Sequence, residues 1–113
     1  MNKADRVRAQ HMLDAAREAI FFARDRRETE LASDRMLLLS LVKEIEIIGE
    51  AAVKISQELK QAFPQLPWAT AAGMRNRLIH AYFDIEAEVV WSTVKEDLPA
   101  LVEKLEELPA PQG

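Results

Sequence analysis

Cysteine is absent from this 113-residue chain, so it can carry neither a disulfide nor a thiolate metal site, in keeping with a reducing compartment. Glycine (3) and proline (5) are sparse, and no alternating β-branched run bounded by turn residues occurs, so an all-α fold is expected. No apolar run approaches the roughly 20 residues that cross a bilayer. The opening Met1-Asn2-Lys3-Ala4-Asp5-Arg6 leads straight into charged helix, without the pattern of a signal peptide. The expected location is cytoplasmic, with no membrane partner. A formal net charge of -4 argues against broad, sequence-independent duplex binding, which rests on many Lys and Arg contacts to phosphate. Histidine is limited to two residues and tyrosine to one.

What is present is helical periodicity over a length suited to one core. Ala9, Leu13, Ala16, Ile20 and Ala23 draw one stripe on a first helix from Ala4 to about Arg27. His11, inside that stretch, has no partner at metal-ligand spacing and reads as a surface or boundary residue. Ser33 or Asp34 can cap a long second helix, whose Leu38, Leu41, Ile45, Ile48, Ala52, Ile55 and Leu59 repeat three and four apart. Leu37, Val42 and Val53 add a second flank, which calls for contact with more than one neighbour, in the same chain or in a second subunit. Gly49 interrupts this helix at about 1 kcal/mol relative to alanine, so a close backbone approach is expected there. Glu44 reads as part of a solvated face; Glu50, beside the glycine, is a candidate partner for an arginine across the bundle.

Pro64 ends this region, and Pro67 suits the first turn of a third helix running to about Tyr82. Asp84 can cap a fourth helix carrying Ala87, Trp91, Val94, Leu98, Leu101, Leu105 and Leu108, with a kink or restart at Pro99. The expected fold is an antiparallel four-helix bundle over residues 1–108, with a flexible tail at 109–113. Charge is uneven along it. Residues 1–27 hold seven Lys/Arg against four Asp/Glu, and residues 84–108 hold two against eight. An RNA strand would have to be led to the centre of the chain by the N-terminal arginines.

The reactive side chains concentrate in Met74-Arg75-Asn76-Arg77-Leu78-Ile79-His80-Ala81-Tyr82-Phe83, a stretch with no acidic residue. On a continuous helix Asn76 and His80 share a face, Arg75 and Tyr82 lie on an adjacent one, and Met74, Leu78 and Tyr82 seat the helix. Histidine transfers protons near neutral pH, and arginine offers a permanent forked charge to phosphate oxygens. Together they can cleave RNA without metal. His80 takes the 2′-hydroxyl proton, the ribose oxygen attacks its own phosphate, and Arg75 stabilises the added negative charge, giving a 2′,3′-cyclic phosphate. Arg77 is placed to guide phosphate. Because the reaction gains from an acid as well as a base, a symmetric dimer would supply a second His80 and Arg75 across a shared cleft. The same residues serve equally well as a C-terminal cap set, with Arg75 paired to a carboxylate and Tyr82 half-buried.

Arg75-Asn76-Arg77-Leu78-Ile79-His80-Ala81-Tyr82 resembles the R-x4-H-x-Y signature of the HEPN superfamily. Glu46-Ile47-Ile48-Gly49-Glu50-Ala51, Phe83-Asp84-Ile85 and Val90-Trp91 resemble the HepT-like toxins within it, over about Met36 to Leu101. The resemblance implies a four-helix HEPN fold, a homodimer with a composite cleft, and a metal-independent ribonuclease toxin that uses no cofactor. Arg75 and His80 would be catalytic and Asn76 and Tyr82 supporting. The implied partner is a minimal nucleotidyltransferase antitoxin of the MntA kind, which would silence the nuclease by transferring AMP to Tyr82. Some HEPN proteins are non-catalytic binding modules, so a domain that assembles with a nucleotidyltransferase or binds nucleotide is the second reading.

Overall fold

A computed structural model describes residues 1–80 and 84–109, with Ile79, His80 and Asp84 described by their backbone alone. Asn2 opens the first helix, α1 (Lys3–Ala23), by accepting the Asp5 N–H on its side chain at 2.7 Å. The buried face of α1 is Ala9, Met12, Ala15, Ala16, Ala19 and Ala23, while Leu13 and Ile20 are only partly buried. The stripe is therefore rotated toward the small residues. Alanines let a neighbouring helix come close, which a leucine at each turn would prevent.

The segment expected to be a charged connection holds a short helix, α2 (Glu30–Ser33). Arg26 fixes it, donating to Glu30 and, at 2.7 Å, to Asp34. Asp34 in turn caps α3 (Arg35–Lys54), accepting the Leu37 N–H at 3.0 Å. The expected long second helix is thus divided. α3 stops at Lys54, and a separate α4 (Gln57–Ala62) carries Leu59. Ser56 makes the break, because its hydroxyl caps α4 while its own N–H and hydroxyl both donate to the buried Asp5 carboxylate of α1, at 3.0 and 2.5 Å. Three hydrogen bonds at one residue outweigh the single helical bond lost there.

α3 is the axis of the fold, packed on α1 along one side and on α5 (Trp68–Leu78) along the other. A two-residue antiparallel ladder follows, β1 (Ile79–His80) on β2 (Asp84–Ile85), with Ile79 opposite Ile85 and His80 opposite Asp84. The C-terminal rod is α6 (Ala87–Ser92), a π turn over Thr93–Asp97, and α7 (Leu98–Glu106). The expected kink falls one turn ahead of Pro99. The wide turn, closed by Leu98 N–H donating to the Thr93 carbonyl, lets α7 restart with Pro99 in its first turn, where a missing N–H costs nothing. Lys95 leaves this turn to donate to the Ala23 carbonyl at the end of α1 at 3.2 Å, and Arg17 pairs with Glu106 at 3.0 Å. α1, α3, α5 and the split C-terminal rod make the expected all-α four-helix bundle around one continuous core. Residues 110–113 of the expected tail lie outside the described residues.

Candidate active site

The site begins with the seating of α5. Trp68 donates its indole N–H to the Phe63 carbonyl at 2.9 Å, and Trp68, Ala71, Met74 and Leu78 form the buried stripe of the helix. That stripe leaves Arg75, Asn76 and Arg77 exposed. Gly49 is where α3 meets this helix: a methyl added there would stand 3.5 Å from the Ala72 carbonyl oxygen, 3.6 Å from that of Ala71 and 4.0 Å from the Arg75 Cβ. The close approach expected from the glycine is present, at ordinary van der Waals spacing.

One turn before Gly49 on α3, Glu46 holds Arg75. Its carboxylate stands 3.5 Å from the arginine Nε, with the two side chains 25 % and 49 % exposed. The expectation that Glu50 would do this is corrected, since Glu50 is exposed and lies in a groove toward α1. At about 100° per residue Glu46 lies about 60° around α3 from Gly49 and Glu50 about 100°, so Glu46 stands nearer the side that meets α5. A half-exposed ion pair of this kind contributes at most about 1 kcal/mol. It orients the guanidinium without locking it, so an incoming phosphate can compete for the free N–H groups.

Arg77 projects to the other side of α5 and pairs at 3.6 Å with Asp97 of the π turn. The two arginines therefore do not converge, and their partners, Glu46 and Asp97, are residues that sequence reasoning missed. Asn76 stands between them on the exposed side. His80 is not on the helix, which corrects the expectation of one continuous element to Tyr82. α5 ends at Leu78, whose carbonyl accepts the Glu86 N–H at 2.8 Å in place of a helical partner. With that donor supplied by Glu86, just after β2, Ile79, a β-branched residue, and His80 continue as extended backbone. Asp84 correspondingly belongs to β2 opposite His80, and α6 starts after Glu86 instead of at an Asp84 cap. Tyr82, the expected modification site, lies outside the described residues. Among the described residues no group of three His, Asp or Glu side chains is placed to hold a metal ion.

Glu44 corrects the reading of a solvated face. It is 5 % exposed on the α1 side of α3, and its Oε2 has no hydrogen-bond partner. Burial, and the hydrogen bond and charge of neighbouring Glu18, push its carboxyl from the ordinary 4.5 up to about 8.

The chain is thus a helical bundle with an exposed arginine in the last turn of α5 and a histidine two residues past that helix's end. The family described as Ribonuclease HepT-like matches residues 12–108, and the chain belongs to it. It is 44% identical over 75 residues to a Thermococcus cleftensis protein named as a probable ribonuclease HepT, covering 66% of this chain and 68% of that one. It is 36% identical over 95 residues to a Methanocaldococcus jannaschii protein named as a putative RNase, covering 84% and 87%. A Caldanaerobacter subterraneus protein, also named as a putative RNase, is 33% identical over 79 residues, 70% of each chain. No solved structure matches the chain closely enough to count as similar.

Proposed function

We propose that this chain is a metal-independent endoribonuclease, the toxin of a toxin–antitoxin pair, acting as a homodimer with Arg75 and His80 at the reacting phosphate. The observation that carries the reading is Arg75 itself. It is a cation held half-exposed by a single carboxylate, three residues before a helix end that is followed by His80 on a strand. One His80 accepts the proton of a ribose 2′-hydroxyl as O2′ attacks the adjacent phosphorus. The bond from phosphorus to the 5′-oxygen breaks, and that oxygen takes a proton from the second subunit's own copy of the histidine. Arg75 stabilises the charge gathered on the non-bridging oxygens, and the products are a 2′,3′-cyclic phosphate and a free 5′-hydroxyl.

The dimer is supported by the face of α3 left uncovered between α1 and α5. Met36 is 82 % exposed and Val53 63 % exposed there, and Leu39 lies between them on the same face, which also carries Glu46. A second copy on this face would cover the Arg75–Glu46 pair and exclude water from it. Tyr82 is the proposed switch. A nucleotidyltransferase partner would transfer AMP from ATP to its hydroxyl, releasing pyrophosphate and setting a negative, bulky group where the substrate phosphate binds.

The test is cleavage of RNA in the presence of a chelator by the wild type and by Arg75→Ala, His80→Ala and Arg77→Ala. Arg75→Ala and His80→Ala should each lower cleavage by about 100-fold or more, and Arg77→Ala should do less. An intact RNA with the wild type would leave the second reading, a non-catalytic module that binds a nucleotidyltransferase or a nucleotide. Intact-mass measurement after incubation with partner and ATP should show added AMP on the wild type and none on Tyr82→Phe.

A further inference from the structure

A groove with a volume of about 800 Å³ lies away from Arg75. It runs between the first half of α1 and the last half of α3, and its rim carries Lys3, Arg8 and His11 from α1 and Lys54 from α3. Glu50 is the one carboxylate lining it, against three permanent cations. Arg17, Arg26, Arg75 and Arg77 are tied to carboxylates, whereas no described ion pair engages Lys3, Arg8 or Lys54 in the groove, nor Arg6, Arg27 or Arg35 outside it. A chain with formal net charge -4 thus keeps a run of uncommitted positive charge along one channel.

The groove shares α3 with the proposed site. Glu50 is one turn beyond Glu46, the partner of Arg75, and Ile47 in its lining is the next residue after Glu46. An α-helix is about 10 Å across with its side chains, so the groove and Arg75 are separated by the width of α3. Its apolar lining is aliphatic, from Ala4, Val7, Ile47 and Ala51, and its one ring is the His11 imidazole. It offers apolar contact to a ribose or base face, which suits backbone tracking without sequence preference.

We infer that this groove is a phosphate rail that holds the single-stranded segment of RNA next to the scissile bond, with Arg8 and Lys54 on phosphates from opposite walls. The inference rests on the ribonuclease reading for its direction and goes beyond it in naming where substrate outside the reacting nucleotide binds. Charge decides the occupant. An apolar helix would gain from the apolar lining but would leave the unpaired cations of the rim without partners, whereas a polyanion meets them all.

The test is binding of a fluorescein-labelled oligouridylate, followed by anisotropy over a range of salt concentrations. The full chain carries His80→Ala so that nothing is cut. Arg8→Gln with Lys54→Gln should weaken binding about tenfold at low salt. It should also lower the slope of log affinity against log salt by about 1.4, since each phosphate contact on a single strand contributes about 0.7. Arg35→Gln with Lys104→Gln, an equal charge change outside the groove, should leave both quantities unchanged. Equal losses in the two double variants, or no loss in the first, would overturn the rail. So would tighter binding of polyglutamate than of the oligouridylate, which would mark an acidic protein as the occupant. A changed sedimentation coefficient in Arg8→Gln/Lys54→Gln with unaltered RNA binding would overturn it in favour of a contact between copies. A wild type that leaves RNA uncut while the salt slopes differ as stated would remove the nuclease reading and leave the rail standing.

Discussion

The two sides of α3 are built to different rules. Toward α1 it presents Leu37, Leu41, Ile48 and Ala51 to a surface of alanines, and the one polar intrusion, Glu44, is buried with an unpaired oxygen. Toward α5 it presents Gly49 and, at the solvent edge, Glu46. The first side supplies apolar burial, at about 25 cal/mol per Å² removed from water. The second supplies little burial at its edge, and instead fixes a guanidinium. The contrast separates what holds the molecule together from what the molecule offers to an anion, on faces of a single helix.

The strongest way to break the first side is Leu41→Ala, at a core position with no exposure. It should destabilise the fold by about 2–5 kcal/mol in urea unfolding. Glu44→Gln should act in the opposite sense. A carboxyl raised from 4.5 to about 8 by burial contributes stability that is complete at pH below the lower value and is lost as pH rises through the higher one. Wild-type stability should therefore fall between those limits, and the variant, which has nothing to ionise, should hold level across them. Unfolding at about pH 5 and about pH 9 should open a gap on the order of 1–3 kcal/mol in favour of the variant at the alkaline end. A parallel pH dependence in both proteins would show that Glu44 does not titrate in this range.

On the second side the expected effects on stability are smaller. Gly49→Ala should stabilise by about 1 kcal/mol through helix propensity, because the added methyl meets the α5 carbonyls at ordinary contact distance. A loss of stability would mean the helices are closer than that spacing allows. Glu46→Gln should shift stability by less than about 1 kcal/mol, yet reduce RNA cleavage by loosening Arg75. The comparison is sharpened if cleavage and stability move independently in this variant.

Much of the frame was legible in sequence. Three-and-four spacing located the principal helices, Asp34 acted as the cap it promised to be, and Pro99 marked the split of the C-terminal rod within one turn. What escaped were the places where tertiary bonds override local pattern. Ser56 divides the second helix because a buried aspartate 51 residues away accepts both its donors. α5 ends at Leu78, whose carbonyl accepts the N–H of Glu86, eight residues on. Glu44 was visible in position, three residues after Leu41 and four before Ile48, and was misread only because charge suggested solvent. At the candidate site, Arg75 stood out in the motif, but its carboxylate partner was expected at Glu50 and is Glu46, one turn earlier on α3.

The most direct test is Arg75→Ala assayed for RNA cleavage and for urea unfolding on the same preparation. The account predicts that cleavage falls by about 100-fold or more while stability stays within about 1 kcal/mol of the wild type. Full cleavage with an intact fold, or a loss of cleavage that merely follows a collapse in stability, would contradict the separation of the two faces of α3.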